Sequence, residues 1–295
     1  MSGKYMAYVG SYSYTGKAKG ITVFDVDVEN GMFKERCEIE VDNSSYVIAS
    51  SDGKTLYSIA DEGVVSFRIL PNGSLARLNS SSIRGMRGCH LCTDEEDKYV
   101  FVSGYHDGKT TVLNLNPDGS VGKIVDGVFD RGYGSVAERN FRPHVTCTRR
   151  MPDNRFVLSV DNGIDQVKIY RFNDKEQKLV QVDAIRCDLE SAPRHFRYSK
   201  DGKFIYLMYE LKKAIEVYTY KTGDRAPVIE KIQTISTTST KNPDNLTAAC
   251  AMRMSIDQKY IYCTNAGENT ISVYKRDEET GLLSMICCLP ISGSY

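Results

Sequence analysis

The stretch APRHFRYSKDGKFIYLMYEL, residues 192–211, decides the fold. A short apolar strand meets the polar turn Ser-Lys-Asp-Gly-Lys, and an aromatic, β-branched run follows, which is the signature of a hairpin entering its second strand. The second half of this phrase, SKDGKFIYLMYE from Ser199, recurs in kind as SSDGKTLYSIAD from Ser50, TDEEDKYVFVSG from Thr93, RMPDNRFVLSVD from Arg150 and SIDQKYIYCTNA from Ser255. Each copy is preceded by another short strand, as in SYVIAS (45–50), GCHLCT (88–93), HVTCTR (144–149) and ACAMRMS (249–255). Two further strands follow each hairpin, as in AIEVYTY (214–220) and PVIEKIQTI (227–235). Four strands per repeat, at a spacing of roughly 45 to 55 residues with almost no helical periodicity, predict an all-β propeller.

The chain opens with YMAYVGSY (5–12), GITVFDVDV (20–28) and FKERCEIEV (33–41), three strands without an innermost one. In propellers such a gap is filled by the C-terminal strand, because a blade shared by both termini closes the ring without free edges. The expected organisation is one propeller domain, 1–295, with residues 1–42 in the shared blade and 43–290 in five complete blades. The closing inner strand is not visible in the sequence, so a truncated chain or an unusual closure is expected.

Lys plus Arg equals Asp plus Glu at 38 each, which argues against nucleic acid as the main partner. The start, MSGKYMAYVGSYSYTG, lacks a signal-peptide layout and no apolar run is long enough to span a bilayer, so a cytoplasmic protein with no membrane partner is expected. The nine cysteines are scattered, as buried small apolar residues are in a reducing compartment. Cys89 and Cys92 form a CxxC around His90, but no second pair follows and positions three apart on a strand face opposite ways, so no metal site is expected.

Strands alternate in direction within a blade, so the start of a first strand and the end of the second share one rim. That rule sends His90, His144, Arg194 and His195 to this rim as strand starts, and His106, Asp161, Glu210 and Asn265 as strand ends. The connections reaching it carry Arg84, Arg87, Arg131, Arg139 and Arg142, whose guanidinium groups suit phosphate or carboxylate. The two long connections, 116–141 and 221–246, are expected to form binding walls there.

The ordered set NFRPHVTCTRRMPDNRFVLSVDNGIDQVKIYRF, SAPRHFRYSKDGKFIYLMYELKKAIEVYTY and TAACAMRMSIDQKYIYCTNAGENTISVYKR, with the opening YVGSYSYTGKAKGITVFDVD, resembles the propeller-type 6-phosphogluconolactonase family, relatives of the carboxymuconate cyclase propellers. The resemblance covers essentially the whole chain. It implies seven blades, of which this chain falls short by about one blade plus the closing strand. It also implies a cofactor-free and metal-free site at the channel mouth, and hydrolysis of 6-phosphogluconolactone to 6-phosphogluconate in the pentose phosphate pathway. Matched motif by motif, it assigns His144, Arg194 and Glu210 as catalytic. Arg142, His195, Asp161, His90 and Asn265 are the expected substrate contacts. Two positions depart from the family pattern: Asn265-Ala266-Gly267 stands where it has Asn-Arg-Gly, and Ala248-Ala249-Cys250 where it has Ala-Ala-Glu.

In the lactonase reading His144 is the general base, because imidazole titrates near the working pH. Arg194 stabilises the oxyanion or grips the phosphate, and Glu210 orients a neighbour or the His144 tautomer. The partner is then a small anionic sugar lactone and the protein a monomer. Two other readings use the same mouth: a non-catalytic propeller binding a sugar phosphate or a protein, and a lactonase or cyclase for a non-phosphorylated acid lactone.

Overall fold

The five repeated phrases become one turn. In a computed structural model, which describes residues 5–135, 141–240 and 246–292, each phrase places its fourth turn residue in the left-handed region: Gly53 (φ 69°), Asp97 (50°), Asn154 (55°), Gly202 (71°) and Gln258 (59°). Local side chains hold that conformation. Ser199 Oγ donates to Asp201 Oδ1 at 2.5 Å and accepts from the Phe204 amide at 3.0 Å, while Lys203 N donates to Asp201 Oδ1 at 3.1 Å. Ser255 and Asp257 repeat the arrangement with the amides of Tyr260 and Lys259. A turn satisfied by its own Ser and Asp fixes the register of the hairpin it joins.

The described residues form 23 strands and no helix. The chain divides into two compact units, Met1–Phe129 and Asp130–Tyr295. In the first, β1 (Tyr5–Gly10), β2 (Gly20–Asp27) and β3 (Met32–Glu40) make a three-stranded sheet. A four-stranded sheet follows from β4 (Val47–Ala49), β5 (Thr55–Ala60), β6 (Gly63–Ile69) and β7 (Leu75–Ser82). The next comprises β8 (His90–Thr93), β9 (Tyr99–Gly104), β10 (Lys109–Leu115) and β11 (Val121–Phe129).

The second unit holds three four-stranded sheets. They are β12 (Val145–Arg150), β13 (Phe156–Asp161), β14 (Gln166–Arg171) and β15 (Val180–Arg186); β16 (Pro193–Tyr198), β17 (Phe204–Tyr209), β18 (Ala214–Lys221) and β19 (Val228–Ser236); and β20 (Ala248–Met254), β21 (Tyr260–Ala266), β22 (Thr270–Arg276) and β23 (Leu283–Pro290). Every sheet is an antiparallel meander in chain order, the topology of a propeller blade.

The second strands β13 and β17 are buried throughout, which explains their near-continuous apolar sequence. Phe156, Leu158 and Val160 pack with Phe196, Leu207 and Tyr209 between the first two blades of this unit. Tyr206, Met208, Met252 and Tyr274 fill the next interface. Each such side chain, removed from water, contributes about 1.5–3 kcal/mol.

The long connections expected at 116–141 and 221–246 are shorter than that reading. β11 and β19 run through them as outermost strands. Their alternating exposure admits polar residues, so they read from sequence as loop.

Candidate functional site

The site in the second unit begins with three bulges. Pairing of β16 with β17 slips between Pro193 and His195, leaving Arg194 as the extra residue. β12 slips in the same way at Thr146 and β20 at Cys250. A bulge bends its strand and re-aims a side chain, and here the re-aimed groups lace one blade to the next. Thr146 Oγ1 donates to the Arg194 carbonyl at 2.7 Å, and Arg194 Nε donates to the Cys250 carbonyl at 2.8 Å.

Glu210 follows β17 directly and is fixed through its backbone. Its amide donates to the Ala192 carbonyl at 2.7 Å, and its carbonyl accepts from the Ala249 amide at 3.1 Å. Its side chain meets Arg194, with Nη1 and Oε2 2.5 Å apart; the Arg194 side chain is 32% exposed and that of Glu210 only 7%. A carboxylate this buried requires its charged partner, because an isolated buried charge is costly.

Asn162, which the sequence reading did not single out, joins this pair to His144. Its Nδ2 donates to Glu210 Oε2 at 3.2 Å and its amide donates to the His144 carbonyl at 2.9 Å. His144 is 4% exposed and its ring meets that of Phe141 edge to face at 6.3 Å. Gly163 lies so close that a Cβ there would stand 1.8 Å from the Arg142 carbonyl oxygen and 2.8 Å from His144 Cδ2.

Asp161 does not face outward as a substrate contact would. It is fully buried, and its Oδ1 accepts the amides of His144 (2.8 Å), Gly163 (3.0 Å) and Ile164 (3.3 Å). Its Oδ2 turns to Asp130, whose own Oδ1 takes Tyr170 Oη at 3.0 Å and Lys168 Nζ at 3.2 Å. The Oδ2 atoms of both carboxyls are buried without another donor, an environment that favours Asp161 in its protonated form. Burial, and then the hydrogen bond and charge of Asp130, push the Asp161 carboxyl well above the usual range. Asp161 is thus a brace for the His144 loop.

His195 is buried in β16, and burial followed by the charges of Arg197, Arg194, Arg253 and Arg149 depresses its pKa, keeping the imidazole neutral. Asn265 also points inward: it is 1% exposed, with Nδ2 on the Thr237 carbonyl at 2.6 Å and Thr270 Oγ1 at 3.1 Å. Its role is therefore to hold the β21 end, in place of the substrate contact expected. Arg142 is exposed over the Phe141 ring, Arg131 is exposed, and Arg139 lies outside the described residues.

In the first unit His90 is wholly buried against the Tyr46 ring, at 4.9 Å between centroids, so its imidazole is packed in the interior instead of facing a ligand. His106 is exposed beside Tyr105. Arg87 pairs with Asp61 at 2.9 Å. The cavity of about 520 Å³ lined by Asp52, Lys54, Arg68, Asp97 and Asp118 lies at the turn end of these strands and contains none of the candidate residues. Among the described residues no group of three His, Cys, Asp or Glu side chains could hold a metal, and no helix is long and apolar enough to cross a membrane.

A family model described as a lactonase with a seven-bladed β-propeller matches residues 6–295. A 6-phosphogluconolactonase of Bacillus subtilis strain 168 is 29% identical over 298 residues, covering 99% of this chain and 83% of its own length. A solved structure from Bacteroides fragilis NCTC 9343, provisionally assigned as a 6-phosphogluconolactonase, superposes with a TM-score of 0.87 at 29% identity, over 100% of this chain and 83% of its own. A periplasmic gluconolactonase of Pseudomonas aeruginosa shares the fold, with a TM-score of 0.89 at 24% identity over 99% of this chain and 84% of its own.

Proposed function

Because the chain belongs to the lactonase family of seven-bladed β-propellers, we propose that it hydrolyses 6-phosphoglucono-1,5-lactone to 6-phosphogluconate at the His144, Arg194 and Glu210 cluster. The observation that carries this reading is the continuous network from Arg194 through Glu210 and Asn162 to His144. Similarity to the Bacillus subtilis enzyme supports the choice of substrate.

His144 takes a proton from water as its oxygen attacks the lactone carbonyl. The tetrahedral oxyanion is stabilised by Arg194, whose guanidinium is held by Glu210 and the Cys250 carbonyl. Collapse breaks the bond from C1 to the ring oxygen, His144 returns its proton to that oxygen, and the new carboxylic acid ionises. General-base assistance of this kind contributes ~10²–10⁴-fold. No cofactor takes part in this scheme, and the protein acts as a cytoplasmic monomer of the pentose phosphate pathway.

The test is proton release from freshly generated 6-phosphogluconolactone, corrected for spontaneous hydrolysis, beside gluconolactone under the same conditions. Strong acceleration with the phosphorylated lactone is expected. Comparable efficiency on the unphosphorylated lactone would contradict the substrate assignment. Binding of 6-phosphogluconate with no acceleration of either lactone would make the propeller a binding module.

A further inference from the structure

One register position on the innermost strands of the second unit is arginine in every blade. Arg149, Arg197 and Arg253 each stand five residues before the left-handed turn residue, Asn154, Gly202 or Gln258. They pair across to Leu158, Tyr206 and Tyr262, in each case the third residue of the next strand. The equivalent positions in the four-stranded sheets of the first unit are Ile48, opposite Tyr57, and Cys92, opposite Phe101. An uncharged position in one unit is therefore cationic throughout the other.

The three guanidinium groups also share surroundings. Arg197 Nη1 donates to the Phe196 carbonyl at 2.8 Å and Arg253 Nη1 to the Met252 carbonyl at 3.1 Å, each folding back on the residue before it. Arg149 and Arg197 are half-buried and Arg253 is exposed. His195 lies two residues before Arg197, so their side chains leave the same face of β16. Burial first, and then the charges of all three arginines and Arg194, keep that imidazole neutral. Four guanidinium charges converging on one neutral side chain make a positive field, which favours an anion in the same place.

We propose that Arg149, Arg197 and Arg253 form a phosphate-ester subsite, a tier three residues along the inner strands from the bulged positions Thr146, Arg194 and Cys250. Three residues of strand span about 10 Å, a gap that arginine side chains shorten from both ends. Planar guanidinium forks match the three oxygens of a phosphate monoester, which carries about two negative charges. The lactone carbonyl then sits at Arg194 and the phosphate at the tier. This placement rests on the lactonase reading of the Arg194 end, while the tier's affinity for phosphate esters does not.

Calorimetric titration of the purified chain with 6-phosphogluconate and with gluconate separates the two. The wild type is expected to bind the phosphate ester at least tenfold more tightly than gluconate, with a strong salt dependence. Arg197→Gln and Arg253→Gln are each expected to reduce that preference about fivefold or more, and Arg253→Lys to keep part of it. Because Arg253 is exposed, its variants should melt with the wild type and so report binding alone. Equal affinity for both ligands in the wild type, or an unchanged preference in folded Arg197→Gln and Arg253→Gln, would overturn the tier. Retained preference without any lactone hydrolysis would instead leave the tier standing and contradict the lactonase reading.

Discussion

Asn162 binds Glu210 with its side chain and His144 with its backbone: Nδ2 to Oε2 is 3.2 Å, and the amide reaches the His144 carbonyl at 2.9 Å. One residue thereby couples the β13 end to the glutamate that follows β17. Its replacement removes the side-chain bond to Glu210 and keeps the amide bond to His144, so the disturbance enters at the glutamate end.

Asn162→Ala is expected to cost about 1–2 kcal/mol of stability and to lower kcat roughly tenfold with little change in KM, since the lost bond positions catalytic groups without touching substrate. Asn162→Asp places a carboxylate against Glu210 and should be the worse of the two. Unchanged kcat in both variants, with lowered melting temperatures, would reduce Asn162 to a structural role.

Gly163→Ala tests the close approach to His144. A methyl group 1.8 Å from the Arg142 carbonyl oxygen forces the backbone to move, and the His144 ring at 2.8 Å moves with it. A loss of about 1–3 kcal/mol is expected together with a fall in kcat. Wild-type melting and turnover would show that the loop relaxes without carrying His144.

Asp161 predicts a loss of stability as the pH rises from about 4 to about 8. Its proton is retained in the folded protein but lost from the unfolded chain once the pH exceeds the ordinary carboxyl value near 4. The unfolded state then binds fewer protons, so stability falls as pH rises, by up to about 1.4 kcal/mol per pH unit, until the folded carboxyl itself ionises near pH 8. Asp161→Asn, whose amide can donate permanently to Asp130, should remove this component. Parallel melting curves of wild type and variant from pH 5 to 9 would contradict a proton retained on Asp161.

Thr146→Val examines the lacing of the bulges while keeping side-chain shape. Loss of the 2.7 Å bond to the Arg194 carbonyl should cost about 1 kcal/mol and lower kcat more than it raises KM, because Arg194, which stabilises the oxyanion, loses its anchor from the neighbouring blade. An effect on stability alone would detach this bond from the site.

What could be read in the sequence was what is local. A polar turn such as Ser199-Lys-Asp-Gly satisfies itself within a few residues, so five polar turns of this kind announced five hairpins, and strand polarity brought His144, Arg194 and Glu210 to one end of the second unit. The bulges at Thr146, Arg194 and Cys250 depend on pairing with the next strand and leave no local mark. Asp130 lies 31 positions from Asp161, so nothing near Asp161 signals that its carboxyl is buried against another. Strand ends also bury more polar atoms than the rim rule allows, which is why Asp161 and Asn265 brace the backbone where substrate contacts were expected.

The most direct measurement is the rate of 6-phosphogluconolactone hydrolysis with wild-type protein and with His144→Gln, on samples of matched melting temperature. The lactonase account predicts acceleration by the wild type that falls at least a hundredfold in the variant. Equal acceleration by both proteins would remove His144 from the chemistry and contradict the account.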